Sequence, residues 1–450
     1  MKRKLLIITT ALLALPGIGL SPAARTSVAA SEQKYELPAP TGNYRIGRKS
    51  FYWPDASRAE ALTKDPQDKR ELMVHVYYPA DVPAQAAPAP YCIGYDAVKS
   101  ILDPIRKKLC QTIKSYSVAD AKISSKQASY PVLLFSHGNE MAAALYAFII
   151  EDLTSHGYIV AAMDHPYEAV AVAYPNGRIA KYSEETRPEF GSPDFLKNDF
   201  RYYQSKVSMR VADSIFVLNQ LEKLNAGQFS EEFKGRLDLG KVGILGHSNG
   251  GITAAQTCLV DARFKAAVNL DGASGGVPMM VAEAQFIAAN AVPGLLGGYS
   301  EKPPEQPFMA IQKFMPDPSD EDLKKAGGSR ERWNSRQAML RERLTKVLGS
   351  VKGGSYLVII KGATHSSFSD PPLTVPPDVL AKLEPRQDQP MYLTGKNTFS
   401  QSPEENLHRA RLIRAYTLAF FNQHLLGQES ALLSGKAPTD PIVTMERFRP

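Results

Sequence analysis

The sequence predicts an α/β protein in which a mostly parallel β-sheet is covered by helices on both faces. Two observations lead there. Short apolar runs recur from residue 130 onward and alternate with stretches of helical periodicity, the pattern of strands buried on both sides. One of those runs, KVGILGHS, also ends in a serine set among Gly246, Gly250 and Gly251, with a helical stretch directly behind it. Sheets of this kind carry their functional residues at the carboxyl ends of the strands.

Taken in order, LMVHVYYPA (72–80) alternates as a strand and ends at a proline, and VPAQAAPAP (82–90) reads as a surface loop. YPVLLFSHG (130–138) is a strand, AAALYAFIIEDLTSHG (142–157) a helix closed by glycine, and YIVAAMDHP (158–166) the next buried strand. A polar loop is expected to about residue 205. The stretch 206–224 is an amphipathic helix with Val207, Val211, Ile215, Leu218 and Leu221 on one face. Strands follow at 241–248, 264–272, 307–314 and 356–365, a helix at 252–260, and a closing helix at 404–427. No internal repeat interrupts this order.

The amino terminus reads differently. Lys2, Arg3 and Lys4 precede the apolar run Leu5–Leu20, which Pro16 and Gly17 break, and small residues follow at 27–30. That is the layout of a cleaved export signal over residues 1–30, and it places the mature protein in a secreted or periplasmic compartment. Residues 31–69 read as an extended leader and 70–450 as the catalytic domain.

The formal net charge of +7 falls by four, to +3, once residues 1–30 are removed. The basic balance thus belongs largely to the signal, and no basic cluster interleaved with aromatics points to nucleic acid. Three cysteines form neither a disulfide scaffold nor a metal site. In an exported protein Cys92 is free to pair with Cys110, while Cys258 reads as a small buried side chain. No motif for a cofactor or a metal is present.

The chemistry centres on Gly246-His247-Ser248-Asn249-Gly250. A serine hydroxyl is a weak nucleophile unless a base takes its proton and a strained turn lifts it clear of the backbone. G-x-S-x-G alone arises by chance in roughly one chain in seven of this length. Its position between a strand and a helix is what makes it specific. An acid and then a histidine should follow in the chain. Asp271, ending the strand AAVNLD, is the expected acid, with Asp261 and Asp370 as rivals. Among the eight histidines, His137 and His165 precede the serine. His75 lies in an early strand, His156 ends a helix, and His408 and His424 sit on the last helix. His247 is inside the elbow and is expected to point away from Ser248. His365, after YLVIIKGA, remains as the base. The backbone N–H groups of Asn249 and of Asn139, in FSHGNEM, are the expected oxyanion donors.

Together VLLFSHGNEMAAALYAFIIEDLTSHGYIVAAMDHP, GILGHSNGG, AAVNLDG and KGATHSSFSD resemble the platelet-activating factor acetylhydrolase family, in pieces from about 70 to 427. The resemblance implies an α/β-hydrolase fold with Ser248, Asp271 and His365 as triad and Asn139 and Asn249 at the oxyanion hole. It also implies cleavage of short or oxidised acyl chains from phospholipids without calcium. The substrate would be a small-molecule or lipid ester, with peripheral contact to a lipid surface allowed. Two insertions between acid and base, 273–303 and 316–350, make that interval longer than the family pattern. The first, apolar with Met279, Met280, Phe286 and Ile287, is expected to cap the acyl site, the second reads as charged and helical, and surface decoration or an oligomer contact is the alternative for both. A general short-chain esterase or polyester hydrolase, a peptidase, and a hydrolase fold retained as a binding module remain alternatives.

Overall fold

The computed structural model describes residues 36–183, 195–272, 305–314, 317–325, 328–376 and 402–449. The export signal expected at 1–30 and the first insertion, 273–303, lie outside them. The described residues belong to one compact unit, Tyr35–Pro450.

Thirteen strands are described: β1 (Arg45–Ala59), β2 (Lys69–Asp81), β3 (Ser117–Ala119), β4 (Lys122–Ile123), β5 (Tyr130–Ser136), β6 (Ile159–Asp164), β7 (Ala171–Ala173), β8 (Ile179–Lys181), β9 (Leu237–His247), β10 (Phe264–Leu270), β11 (Phe308–Lys313), β12 (Ser355–Ile360) and β13 (Val443–Phe448). Eleven form one sheet, ordered β13-β12-β11-β10-β9-β5-β6-β2-β1-β3, with β4 on β2. From β6 to β12 every neighbouring pair is parallel. Antiparallel strands flank this block, β2 against β6 and β13 against β12. The parallel strands β5 and β6 are buried along their whole length, which explains why their sequences run apolar without alternation.

Alternate residues of one strand feed two separate core layers. After the short helices α1 (Tyr95–Val98) and α2 (Pro104–Thr112), Phe148 and Ile149 of helix α3 (Ala147–Ser155) pack with Leu133 and Phe135 of β5 and with Phe420 and Phe421 of the C-terminal helix Pro403–Leu426. Val132 and Leu134 face the other way, toward Val217, Leu218 and Leu221 of helix α4 (Phe195–Asn225) and Ala254, Ala255 and Cys258 of helix α5 (Asn249–Val260). The expected helix-covered sheet is present on both faces, and the chain has the α/β-hydrolase fold. Among the described residues no helix is long and apolar enough to cross a membrane.

Two segments differ from the sequence expectation, and a third adds to it. Part of the stretch read as a leader is β1, which lies antiparallel along β2 with Phe51 opposite Val74, so the sheet begins well before residue 70. From Ser50 to Ala56 its alternation of buried with more exposed residues is that of an antiparallel strand with one solvated face. The polar loop expected to residue 205 ends earlier, because α4 begins at Phe195; before it, β7 and β8 pair as a small antiparallel sheet of their own. The second insertion, 316–350, contains the helix Arg330–Gly349, whose Leu344, Val347 and Leu348 pack into the same core layer as α4 and α5. It is the crossover that joins the parallel strands β11 and β12, as parallel neighbours require.

Candidate active site

β9 runs directly into α5 with Ser248 alone between them, at φ 55° and ψ −121°. A non-glycine residue there costs on the order of 1–3 kcal/mol and persists only where its surroundings hold it. The Ser248 N–H donates to the Leu270 carbonyl (3.0 Å), and its carbonyl accepts from Gly251 and Ile252 (2.9 and 3.2 Å). Steric crowding accounts for the three glycines. A Cβ on Gly250 would stand 2.0 Å from the Ser136 carbonyl oxygen, one on Gly246 2.4 Å from the Gly250 carbonyl, and one on Gly251 2.2 Å from Asn269 Oδ1. Strand, turn and helix are pressed together so that the serine sits at the strand end, half-buried.

Asp271 follows β10 at φ 46°, its N–H tied to the Ile311 carbonyl at 2.8 Å. Its Oδ2 lies 2.6 Å from His365 Nδ1, and its Oδ1 accepts the Lys313 N–H at 3.1 Å. Burial works to raise the carboxyl, but the Lys313 ammonium, 3.9 Å from Oδ2, and the bond to His365 outweigh it and hold Asp271 below the usual carboxylate range. An ionised Asp271 accepts the hydrogen bond from Nδ1–H, which leaves His365 Nε2 as the basic nitrogen. His365 opens a 3₁₀ turn, His365–Phe368, after β12, and a capping box between Thr364 and Ser367 fixes that turn. Its side chain is 47% exposed, against 9% for Asp271.

Both rival acids have structural work instead. Asp261 closes α5 and pairs with Arg263. Asp370 is fully buried at the N-terminus of α3, where it accepts from the Ala147 and Phe148 N–H groups (both 2.9 Å) and from the Tyr91 hydroxyl (2.7 Å). Burial pushes its carboxyl up to about 7 in spite of those donors. The remaining histidines are likewise engaged elsewhere: His75 with Ser50 and Asp164, His156 with Thr41, His165 with Ser136 and Asp213, His408 with Asp440.

The loop after β5 passes beside the serine. A Cβ on Gly138 would lie 3.4 Å from Ser248 Cβ. The Asn139 amide donates to the Tyr182 hydroxyl at 3.0 Å. Among the described residues neither the Asn139 nor the Asn249 backbone N–H donates to another protein group, and Asn249 is the first residue of α5, where an N–H has no partner within the helix. Buried Arg210 of α4 holds the loop from behind: it donates to the His137 carbonyl and, through Nε, to Glu168 (3.0 Å), whose own carbonyl accepts the Glu140 N–H (3.0 Å). No group of three or more His, Cys, Asp or Glu side chains among the described residues is placed to hold a metal ion.

Several neighbours of the site escape sequence reasoning. Lys313 lies at the end of β11 and touches Asp271 with both its backbone and its ammonium. His247 does leave Ser248, but its ring lies against His365, centroids 4.5 Å apart, and its Nδ1 bonds the Tyr146 hydroxyl. Only the position of Lys313 at a strand end carried any signal, and β9, β10 and β12 offered competing strand ends of the same kind.

The family model for platelet-activating factor acetylhydrolase, isoform II, matches residues 29–282. A protein of Arthroderma benhamiae described as a probable 1-alkyl-2-acetylglycerophosphocholine esterase is 26% identical over 430 residues, covering 90% of this chain and 92% of its own. The platelet-activating factor acetylhydrolase of Gallus gallus is 22% identical over 273 residues, 54% of this chain and 61% of its own. A ferulic acid esterase from Streptomyces cinnamoneus superposes with a TM-score of 0.63 at 26% identity, over 92% of this chain and 99% of its own. The ferulic acid esterase shares the fold, the sequence relatives are named as ester hydrolases, and the chain is an acyl ester hydrolase that belongs to the platelet-activating factor acetylhydrolase, isoform II, family.

Proposed function

We propose that the protein is an exported serine carboxylic ester hydrolase that cleaves short or truncated acyl esters, phospholipid sn-2 acyl groups among them, through an acyl-enzyme on Ser248. The observation that carries this reading is the 2.6 Å pair of His365 and Asp271 at the strand ends beside a serine held at positive φ. In the reaction His365 Nε2 takes the Ser248 proton as the hydroxyl oxygen attacks the ester carbonyl. Asp271 stays ionised, keeps the proton on Nδ1 and stabilises the imidazolium. The Asn139 and Asn249 N–H groups receive the oxyanion, each donor worth about 3–4 kcal/mol in the transition state. The imidazolium then protonates the leaving alkoxide, and water reverses the sequence to release the acid.

Export is supported by the charged, apolar and small-residue layout of residues 1–30 and by the Cys92–Cys110 disulfide, a bond that persists in oxidising compartments. An intact mass of the mature protein starting near residue 31 is the expected result. The names of the family relatives favour a short acyl chain on a glycerophospholipid, whereas the ferulic acid esterase neighbour favours a general esterase.

Hydrolysis of p-nitrophenyl acetate, butyrate and octanoate, of a 2-acetyl phospholipid and of methyl ferulate separates these readings. Turnover and fluorophosphonate labelling should both vanish in Ser248→Ala. Phospholipid turnover well above that of the ferulate ester is the expected order, and the reverse order would favour the general esterase. Wild-type protein that neither turns over nor labels would overturn the serine-esterase reading.

A further inference from the structure

One hydroxyl stands between the two halves of the site. Tyr146 Oη accepts the Gly138 N–H at 2.9 Å, on the loop that leads to Asn139, and it also bonds His247 Nδ1 at 2.9 Å. A phenol has a single proton to give, and the Gly138 N–H is a donor. That leaves the phenolic proton available to His247 Nδ1, and we assign Nδ1 as its acceptor. The His247 ring then carries its own proton on Nε2 and is neutral. Burial favours the same state, and the charge that forms on adjacent His365 reinforces it, so His247 titrates well below the ordinary range.

That neutral ring is where the His365 imidazole rests. The centroids are 4.5 Å apart, and Phe368 backs His247 at 5.9 Å with the ring planes 13° from parallel. Phe135 packs on Tyr146 at 4.8 Å and confines the phenol. Among the described residues, the ionisable groups facing His365 are Asp271 from the end of β10, Lys313 beyond it on β11, and His247 from β9. A second positive charge on His247 would oppose the imidazolium that the reaction builds on His365. A neutral, oriented ring does not.

We infer that Tyr146 and His247 are positioning residues for the reaction: through one oxygen, Tyr146 locks His247 as a neutral shelf for the His365 base and holds the oxyanion loop at Gly138. Base and oxyanion donors are thereby kept at a fixed separation, which a transition state needs and a merely bound ester does not. The inference rests on the reading of Ser248 and His365 as nucleophile and base.

The test is steady-state kinetics on p-nitrophenyl butyrate for Tyr146→Phe, His247→Phe and the double variant, with thermal unfolding of each and Ser248→Ala alongside. His247→Phe keeps a flat ring but has no acceptor for the phenol. Each single variant should lower kcat about tenfold or more with KM within about twofold, since neither side chain meets the ester. The double variant should be no slower than the poorer single, because both act through one bond. Wild-type kcat in Tyr146→Phe, or losses that multiply in the double variant, would overturn the inference. If Tyr146→Phe does not fold, His247→Asn carries the test, keeping an acceptor while removing the shelf: lost kcat with retained KM supports the inference, and unchanged kcat overturns it. An inert Ser248→Ala beside an unaffected Tyr146→Phe sinks only the positioning role, whereas an active, labelled Ser248→Ala sinks the serine reading itself.

Discussion

At the scale of single residues, the candidates for acid and base were legible because chemistry confines them. A base must follow the nucleophile and sit at a strand end, and only His365 of the eight histidines satisfied both. The Asp271–His365 contact agrees with that reasoning. Asp370 shows why its rival could not be dismissed from sequence: an aspartate trailing the histidine looks catalytic until its oxygens are seen on the α3 N-terminus. Asp271→Asn should leave the fold intact and lower kcat about 10³–10⁴-fold, because an amide no longer enforces the Nδ1 proton or stabilises the imidazolium. Steady-state rates with a circular-dichroism control check this, and a loss under tenfold would remove Asp271 from the acid's role.

At the scale of elements, the elbow is a packing solution in which β9 and α5 approach until only hydrogen fits on Gly250. Gly250→Ala places a methyl carbon where the Ser136 carbonyl already lies, so strand β5 or helix α5 must shift. A destabilisation of about 3 kcal/mol in urea unfolding, with loss of most turnover, is expected. The C-terminal helix offers a milder case: Ser402 caps it, bonding the Glu405 N–H in a capping box. Ser402→Ala should cost about 1 kcal/mol and leave kcat unchanged, as read from the unfolding midpoint and p-nitrophenyl ester turnover. Long parallel elements were readable from periodicity. β1 was not, because its sequence alternates imperfectly across a bulge between Asp55 and Ala59, and its pairing with β2 is what makes it a strand.

At the scale of the whole molecule, stability should fall on mild acidification. His137 and His247 are held well below the ordinary histidine range by burial, and His165 below it, so the folded chain refuses protons that the unfolded chain accepts below about pH 6.5. Asp370 works in the opposite sense. Its raised pKa contributes stability that is full below about pH 3.9 and is lost as pH rises through about 7. His156 and His424 are lowered by burial as well, and Glu151 is raised beside Asp370, so five histidines against two carboxyls leave a net loss of stability as pH drops from 6.5 toward 5. Urea midpoints at pH 7.5 and 5.5 check the sign, and a higher midpoint at 5.5 would contradict it. The Cys92–Cys110 bridge spans 18 residues and should be worth about 3 kcal/mol, so a Cys92→Ser/Cys110→Ser protein is expected to unfold earlier while retaining its turnover.

By itself the sequence determined the class of fold, the strand–serine–helix element and the candidates for nucleophile, acid and base. These follow from local rules: periodicity, the special backbone of glycine, and the order in which a strand-end site collects its residues. Only the tertiary structure decided that β1 completes the sheet, that 316–350 supplies a crossover, that Asp370 caps a helix, and that Lys313 and His247, the latter bonded to Tyr146, lie beside the Asp271–His365 pair. Those facts depend on which strand lies beside which. β11, far from β9 in sequence, is placed by the sheet order two positions away from it, and no periodicity in the chain encodes that neighbourhood.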